Sequence, residues 1–265
     1  MKSAMTIAIL GLMLNTPALS LTPLSLTPHR AYYRVKLFSV KQDSDIADAQ
    51  GLMVLEMEDV CNGWTIEQNS MTRVQYKSRP AEILRANYAA WESKTGDKLR
   101  FNATRTYNNR FKEGVQGQAH FSNRNGRINF NQPERKTLPI QGGTMPPVQH
   151  IQSLLAAAHE GETMVSKHVF DGSFYGKPVT INAAIIPKKS VCGVASIKGV
   201  DKMAWPLRLA VFSSDGESSL PSFEIQQMMT DQGIMCTYRV DFGEYILEGT
   251  LEKVEFMPES ACQNP

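Results

Sequence analysis

The sequence predicts an all-β, mainly antiparallel fold: a large curved, spiral or open-barrel sheet of about thirteen strands with one amphipathic helix. Two observations support this prediction. From His29 onward, most segments alternate apolar and polar residues with a period of two and are rich in β-branched and aromatic residues. Short turn sequences rich in Gly, Asn and Asp separate these segments, which indicates consecutive antiparallel strands.

The N-terminus has the three parts of a secretory signal. Lys2 provides a short basic start, an apolar run spans residues 7–14, and Ala18 and Ser20 are small residues suited to cleavage. We therefore expect a signal peptide at 1–20, cleaved near Ser20, and export to the periplasm of a Gram-negative cell. The apolar run is much shorter than the ~20 residues that a membrane-spanning helix needs, so the protein should not span a membrane.

The rest of the chain has the composition of an ordinary folded domain, with 42% apolar and 20% charged residues. Residues 21–28 repeat a Leu-Thr-Pro unit and should form a flexible lead-in. No Pro-rich linker divides the remainder, so we expect a single β domain at 29–265. The formal net charge of only +2 gives no electrostatic case for binding nucleic acid.

The strands are predicted in order from this alternation. The first three centre on 33–37, 52–56 and 64–67. Later segments with the same pattern are 99–107, 115–121, 128–130, 179–185, 207–212, 223–229, 235–242 and 245–256. The last two are joined by Gly243-Glu244 and form the clearest hairpin in the sequence.

A single segment, 144–161, breaks the strand pattern. Ile151, Leu154, Leu155 and Ala158 recur at helical spacing and mark one apolar face. Two prolines suit the first turn of this helix and a glycine suits its end. We expect the helix to lie against the concave face or the open edge of the sheet.

No motif for catalysis or metal binding is visible. His150 and His159 are nine residues apart, which places them on opposite sides of a helix, so they cannot share a metal and are expected to be exposed. The tripeptide 241–243 resembles a kinase metal-binding motif, but the sequence lacks the other kinase motifs and predicts a strand end and turn there. We expect no catalytic residues, no cofactor and no metal, and therefore a protein that is not an enzyme.

Four cysteines, Cys61, Cys192, Cys236 and Cys262, are an even number, and in an exported protein this favours two disulfides. Their spacing fits no zinc or redox motif. Three pairings are possible, and spacing does not choose between them.

Aromatic residues are distributed along the predicted strands and could either fill a core or line an apolar cavity inside the curved sheet. They are Trp64, Tyr88, Trp91, Phe101, Tyr107, Phe121, Phe130 and Trp205.

Segments along nearly the whole mature chain resemble the EipB family of exported envelope-integrity proteins, long known as a domain of unknown function. The resemblance is broad and rests on 29–31, 51–64, 99–102, 113–117, 138–139, the helix with Pro147 and His150, 170–173, 205–206 and 241–245.

This resemblance implies a β-spiral with one helix, similar to the periplasmic lipoprotein carriers of the LolA and LolB type, and a role in envelope integrity. It also implies a disulfide between Cys61 and Cys262. Cys192 and Cys236 depart from the family's simplest pattern and leave room for a second pair. The resemblance brings no catalytic residues with it.

The function predicted at this point is that of a non-enzymatic periplasmic protein that contributes to envelope integrity by binding a lipid, a lipoprotein or a protein partner. We expect a monomer. Two alternatives stay open: a lipid or lipoprotein carrier of the LolA type, and an envelope hydrolase without a recognisable motif.

Overall fold

The computed structural model describes residues 26–193, 197–214 and 218–258. These residues form one antiparallel sheet of fifteen strands and one helix. The predicted fold class is therefore confirmed, with fifteen strands in place of about thirteen.

The strands in chain order are β1 (His29–Val40), β2 (Ile46–Asp59), β3 (Gly63–Tyr76), β4 (Glu82–Ser93), β5 (Lys98–Tyr107), β6 (Arg110–His120), β7 (Gly126–Gln132), β8 (Lys136–Ile140), β9 (Met164–Val169), β10 (Val179–Ile185), β11 (Ser190–Val191), β12 (Met203–Phe212), β13 (Phe223–Met229), β14 (Met235–Asp241) and β15 (Tyr245–Phe256). The helix, α1, spans Pro147–Glu160 between β8 and β9.

The first and last long strands lie side by side in the middle of the sheet. From β1, the sheet extends through β2 to β8 on one side and through β15, β14, β13, β12 and β10 to β9 on the other, while β11 pairs with β12. Tyr33 on β1 is opposite Met53 on β2 and Leu251 on β15. The sheet therefore has two wings, a first wing of β1 to β8 and a second wing that runs from β15 to β9.

Turn chemistry explains why neighbouring strands are antiparallel. In the β14–β15 turn, Gly243 has a φ of +83°, and its backbone N–H donates to the carboxylate of Asp241 at 2.7 Å. A positive φ is readily adopted by glycine, and an Asx turn of this kind stabilises the reversal. The predicted hairpin across 243–244 is confirmed.

The two outermost strands, β8 and β9, do not pair with each other, so the sheet stays open. Met145, just before α1, instead forms a parallel bridge with Val169 at the end of β9, through its N–H to the His168 carbonyl and its carbonyl to the Phe170 N–H. The seam between the wings is further covered by the loop 170–178, called here the seam loop.

The core lies inside the curve of the sheet because alternate residues on each strand point inward. Leu154 and Leu155 of α1 are fully buried there, in one cluster with Trp64 from β3 and Trp205 from β12. The helix therefore lies inside the sheet and contacts both wings. This is the first of the two predicted placements, against the concave face.

Candidate functional site

The main internal feature is an apolar cavity of about 400 Å³, called here the interior pocket, between α1, the seam loop and the two wings. Its volume lies at the lower end of the ~300–1,000 Å³ range of small-molecule sites. The shape of the sheet places it centrally, since both wings and the helix contribute walls.

Inward-facing residues of the first wing form one wall: Leu55 and Met57 of β2, Ile66 and Gln68 of β3, Ala86 and Tyr88 of β4, and Ala103 and Arg105 of β5. Phe223 and Met235 form the opposite wall, and Pro147 and Ile151 of α1 close the inner end. Most of this lining is aliphatic or aromatic, so the pocket suits the apolar part of a ligand.

Polar groups are concentrated where the seam loop meets the pocket. Arg105 forms an ion pair with Glu113, and its guanidinium lies 4.3 Å from the ring centre of Phe174. The carboxylate of Asp171 accepts hydrogen bonds from the backbone N–H of Ser173 at 2.9 Å and from its hydroxyl at 2.8 Å. These groups give the pocket one polar end.

The seam loop is held against the first wing by Tyr88 and by aromatic contacts. The Tyr88 hydroxyl donates to the backbone carbonyl of Asp171 at 2.5 Å. Burial raises the pKa of Tyr88 well above its usual value, so the hydroxyl stays protonated and remains a donor. The ring of Phe170 contacts Phe101 edge-on, with 5.3 Å between ring centres.

The N-terminus of α1 is capped by a side chain from a distant strand. Pro146 at the N-cap makes no side-chain cap, and no acidic residue lies in the first turn. The carboxylate of Glu92 on β4 accepts the backbone N–H groups of Val148 and Gln149 at 2.7 and 2.9 Å. Burial raises the pKa of Glu92 to about 7, against the lowering effect of these two donors.

The other end of α1 is fixed by Asp231, which follows β13. Its Oδ1 accepts hydrogen bonds from Nε1 of Trp205 and pairs with Nε2 of His159, both at 2.8 Å, and Oδ2 forms an ion pair with Lys189. Although burial opposes it, the donors hold the pKa of Asp231 below its usual value. The helix is therefore attached to β4 at one end and to the β12–β13 region at the other.

The comparisons with known proteins agree with this architecture. A family model for EipB-like proteins matches residues 21–258. The chain belongs to the EipB-like family. Among curated proteins it is similar to the cell envelope integrity protein EipB of Brucella abortus (strain 2308), with 24% identity over 236 residues, covering 87% of this chain and 84% of the relative. This relationship implies a role in cell envelope integrity.

A solved structure has the same fold as this EipB-like chain. It is a beta-barrel-like protein of a domain of unknown function from Brucella abortus, with a TM-score of 0.82, 24% identity, and coverage of 88% of this chain and 99% of that one. At this identity the likeness shows the fold alone. Within the described residues of the EipB-like chain, no helix has the length and apolar character needed to cross a bilayer.

In this EipB-like protein, Cys192 and Cys236 are joined by a disulfide with 5.6 Å between their Cα atoms. This bond attaches the connection between β10 and β12 to β14. Cys262 lies outside the described residues, as does the predicted cleavage site near Ser20, so the pairing of Cys61 with Cys262 stays a prediction.

The two helix histidines lie on opposite sides of α1, as predicted, but His150 is not exposed. Only 6% of its surface is accessible, its Nε2 has no hydrogen-bond partner within the described residues, and burial lowers its pKa to about 4. The prediction of an exposed side chain was wrong for His150 because this position faces the sheet. His159 is exposed and bonds to Asp231.

The predicted aromatic residues divide between core, pocket and surface. Tyr88 lines the interior pocket, Trp91 borders a shallow depression on the outer face, and Tyr107 lies at the rim of the sheet. The buried members are Trp64, Phe101, Phe121, Phe130 and Trp205. No cluster of three potential metal ligands occurs in the described ranges.

Sequence reasoning missed Glu92, Asp231 and Arg105. Glu92 lies four residues after Tyr88 on β4, so both side chains point to the inner face of the sheet. An acidic residue at an inward position was therefore the available signal, but it could be recognised only after β4 had been assigned. Asp231 gave no local signal, because its partners are distant in sequence.

Proposed function

We propose that this protein is a non-enzymatic periplasmic component of the envelope that binds the apolar part of a lipid or of a lipoprotein's acyl chain in the interior pocket. The observation that supports this most directly is the mainly apolar, partly open cavity of about 400 Å³ bordered by α1, the seam loop and both wings. The relationship to EipB supports the envelope role, and it is consistent with a periplasmic location.

The distribution of polarity in the pocket favours an amphiphile over a uniformly polar ligand. At the helix end the lining is Met57, Ile66 and Ile151, which offer no charged group. At the seam-loop end, Arg105 offers hydrogen-bond donors and the Asp171 carboxylate offers acceptors. Burial of apolar ligand surface stabilises such a complex by ~25 cal/mol per Å², so an acyl chain would be held mainly at the helix end.

Native mass spectrometry of protein purified from the periplasm, with and without organic extraction, tests this proposal. We expect an extractable adduct of lipid mass on the native chain. A bare polypeptide that also fails to take up a fluorescent long-chain fatty acid in solution would contradict the proposal.

A matched pair of variants locates the ligand. Ala86→Phe places a ring in the interior pocket, whereas Ala89→Phe places the same ring on the exposed outer face of the same strand. We expect Ala86→Phe to lose fatty acid uptake and Ala89→Phe to retain it. Equal uptake by both variants would place the ligand elsewhere.

The carrier alternative differs by one property, the release of ligand to an acceptor. A carrier of the LolA type should move a labelled lipid or lipoprotein between donor and acceptor vesicles faster than spontaneous exchange. A resident binding protein should hold the ligand without accelerating its transfer.

The non-enzymatic part of the proposal is tested by incubating the purified protein with peptidoglycan, esters and phospholipids. We expect no turnover. Turnover that is retained through purification and lost in a variant of the interior pocket would favour the hydrolase alternative.

A further inference from the structure

The sheet exposes aromatic side chains at the end where the turns 41–45, 77–81, 108–109 and 242–244 lie, called here the open end. These turns share one end because the strands between them alternate in direction. Phe242 is 45% exposed, Phe174 of the seam loop is 53% exposed, and Tyr107 is 37% exposed. Exposed large apolar side chains that cluster mark interaction sites far more often than single ones.

These residues form a connected group, called here the aromatic collar: Tyr107, Phe174, Phe223, Phe242 and Tyr245. The ring of Phe242 lies 5.0 Å from that of Tyr245 and 6.4 Å from that of Phe223, measured between centres. Tyr245 and Tyr107 border the same surface depression, and Phe223 and Phe174 line the interior pocket. The collar therefore joins the pocket to the open end.

Basic side chains lie beside the aromatic rings at the open end, among acidic side chains of similar number. In and beside the four turns, the basic residues Lys41, Lys77, Arg79 and Arg110 are accompanied by the acidic residues Asp43, Asp45, Glu82, Asp241 and Glu244, and Arg79 forms ion pairs with Asp45 and Glu82. The guanidinium of Arg79 lies 3.3 Å from the ring centre of Tyr76. Aromatic rings beside basic groups are typical of the interface between a bilayer and water, where rings sit at headgroup level.

We propose that the aromatic collar docks on a phospholipid bilayer, so that the polar end of the interior pocket faces the membrane. This inference rests on the proposed function, because it supplies the route by which an acyl chain would enter the pocket. The collar residues lie in four segments around an opening, namely the end of β5, the seam loop, the start of β13 and the β14–β15 hairpin. Side chains arranged in this way can enter a soft headgroup layer together. Insertion of the rings would provide most of the affinity, since the basic and acidic residues in these turns nearly balance.

Vesicle flotation of the full mature chain tests the docking. The vesicles contain phosphatidylethanolamine with a minority of phosphatidylglycerol, and the test variant is Tyr107→Ser with Phe242→Ser. We expect the double variant to lower the partition coefficient about tenfold or more, because two ring insertions are lost. Met164→Ser is the control, since Met164 is 64% exposed at the opposite end of the sheet, and it should float like the parent protein.

Three outcomes would overturn the docking proposal. These are a parent protein that does not float, a double variant that floats as well as the parent, and flotation that disappears in high salt, which would show attraction between charges without insertion of rings. If the collar bound a protein partner and not vesicles, the parent protein would not float, which is the first of these outcomes.

Fatty acid uptake in solution, without vesicles, separates this proposal from the proposed function. Neither Tyr107 nor Phe242 lines the interior pocket, so the double variant should still take up the fluorescent fatty acid. Uptake without flotation would overturn the docking alone. Flotation of a protein that never takes up a fatty acid would overturn the proposed function and leave the docking in place.

Discussion

The carboxylate of Glu92 accepts the backbone N–H of Val148 at 2.7 Å, and this contact joins β4 to the first turn of α1. The helix supplies no cap of its own, so a buried side chain 56 residues earlier accepts two of its free N–H groups. A carboxylate at a helix N-terminus also interacts favourably with the helix dipole. The contact therefore fixes the helix end that closes the interior pocket.

Two buried groups beside α1 give opposite pH dependences. Glu92 has its pKa raised from 4.5 to about 7, so its contribution to the unfolding free energy is present below pH 4.5 and is lost as the pH rises through 7. His150 has its pKa lowered from 6.5 to about 4, so its contribution is present above pH 6.5 and is lost as the pH falls through 4. Between about pH 4.5 and 6.5 the two effects oppose each other.

Glu92→Gln should remove one of these effects and reveal the other. We expect the unfolding free energy of this variant to rise with pH between about 4.5 and 6.5 more steeply than that of the parent, by up to about 3 kcal/mol over the window. Guanidinium denaturation at a series of pH values measures it. Glu67→Gln, an exposed carboxylate on β3, should leave the profile unchanged. A profile for Glu92→Gln parallel to that of the parent would refute the assignment.

Asp231→Asn should loosen the opposite end of the helix. The substitution replaces one acceptor oxygen by a donor and removes the charge opposite Lys189, so we expect a loss of about 1–3 kcal/mol in unfolding free energy. Because Trp205 donates to Asp231, its fluorescence should shift as well. Asp201→Asn, an exposed carboxylate before β12, is the matched control. If both variants were equally stable, Asp231 would not anchor α1.

Tyr88→Phe should release the seam loop without disturbing the wing beneath it. The variant loses the donor to the Asp171 carbonyl, which should cost about 1 kcal/mol. Hydrogen exchange of the backbone amides in 170–178 should accelerate, while that of β4 stays slow. Tyr32→Phe removes a hydroxyl that donates to Glu255 at 3.0 Å, far from the loop, and should not alter exchange there. Unchanged exchange in 170–178 for Tyr88→Phe would count against the role of this hydrogen bond.

Cys192→Ser with Cys236→Ser should destabilise the protein through the loss of one cross-link. The bond joins positions 44 residues apart, for which the chain-entropy model gives about 4 kcal/mol. Guanidinium unfolding of the double variant against the parent, both without reductant, measures this difference while leaving Cys61 untouched. A difference well under 1 kcal/mol would contradict the chain-entropy estimate for this bond.

Local patterns allowed the sequence to predict the β14–β15 hairpin and α1. The helix face of Leu154, Leu155 and Ala158 was readable because its period differs from that of strands, and these three residues are buried as predicted. The hairpin could be predicted because apolar and polar residues alternate on both sides of the turn at Gly243. In both cases the information lies within about twenty residues of sequence.

Strand β4 was missed for a physical reason. Ala86, Ala89 and Ala90 have low strand propensity, and Ile83-Leu84 interrupts the alternation. Hydrogen bonding to β3 and β5 on both edges makes this segment a strand. Because β4 was not assigned, the inward position of Glu92 could not be recognised.

The interior pocket could not be located from the sequence, because it depends on contacts between distant segments. Asp231 meets His159 across 72 residues, and Tyr88 meets Asp171 across 83. Only the general expectation of an apolar cavity, based on the number of aromatic residues, was available.

Because the seam between β8 and β9 is open, the interior of the protein can enlarge without breaking hydrogen bonds between neighbouring strands of the sheet. Separation of the wings at this point would break the Met145–Val169 bridge, the Tyr88 hydrogen bond and the edge-on ring contacts of Phe170. Every ladder between neighbouring strands would remain intact. A closed barrel would have to lose an entire strand pairing to gain the same volume, so the volume that this fold can enclose is governed by one loop and a few side chains.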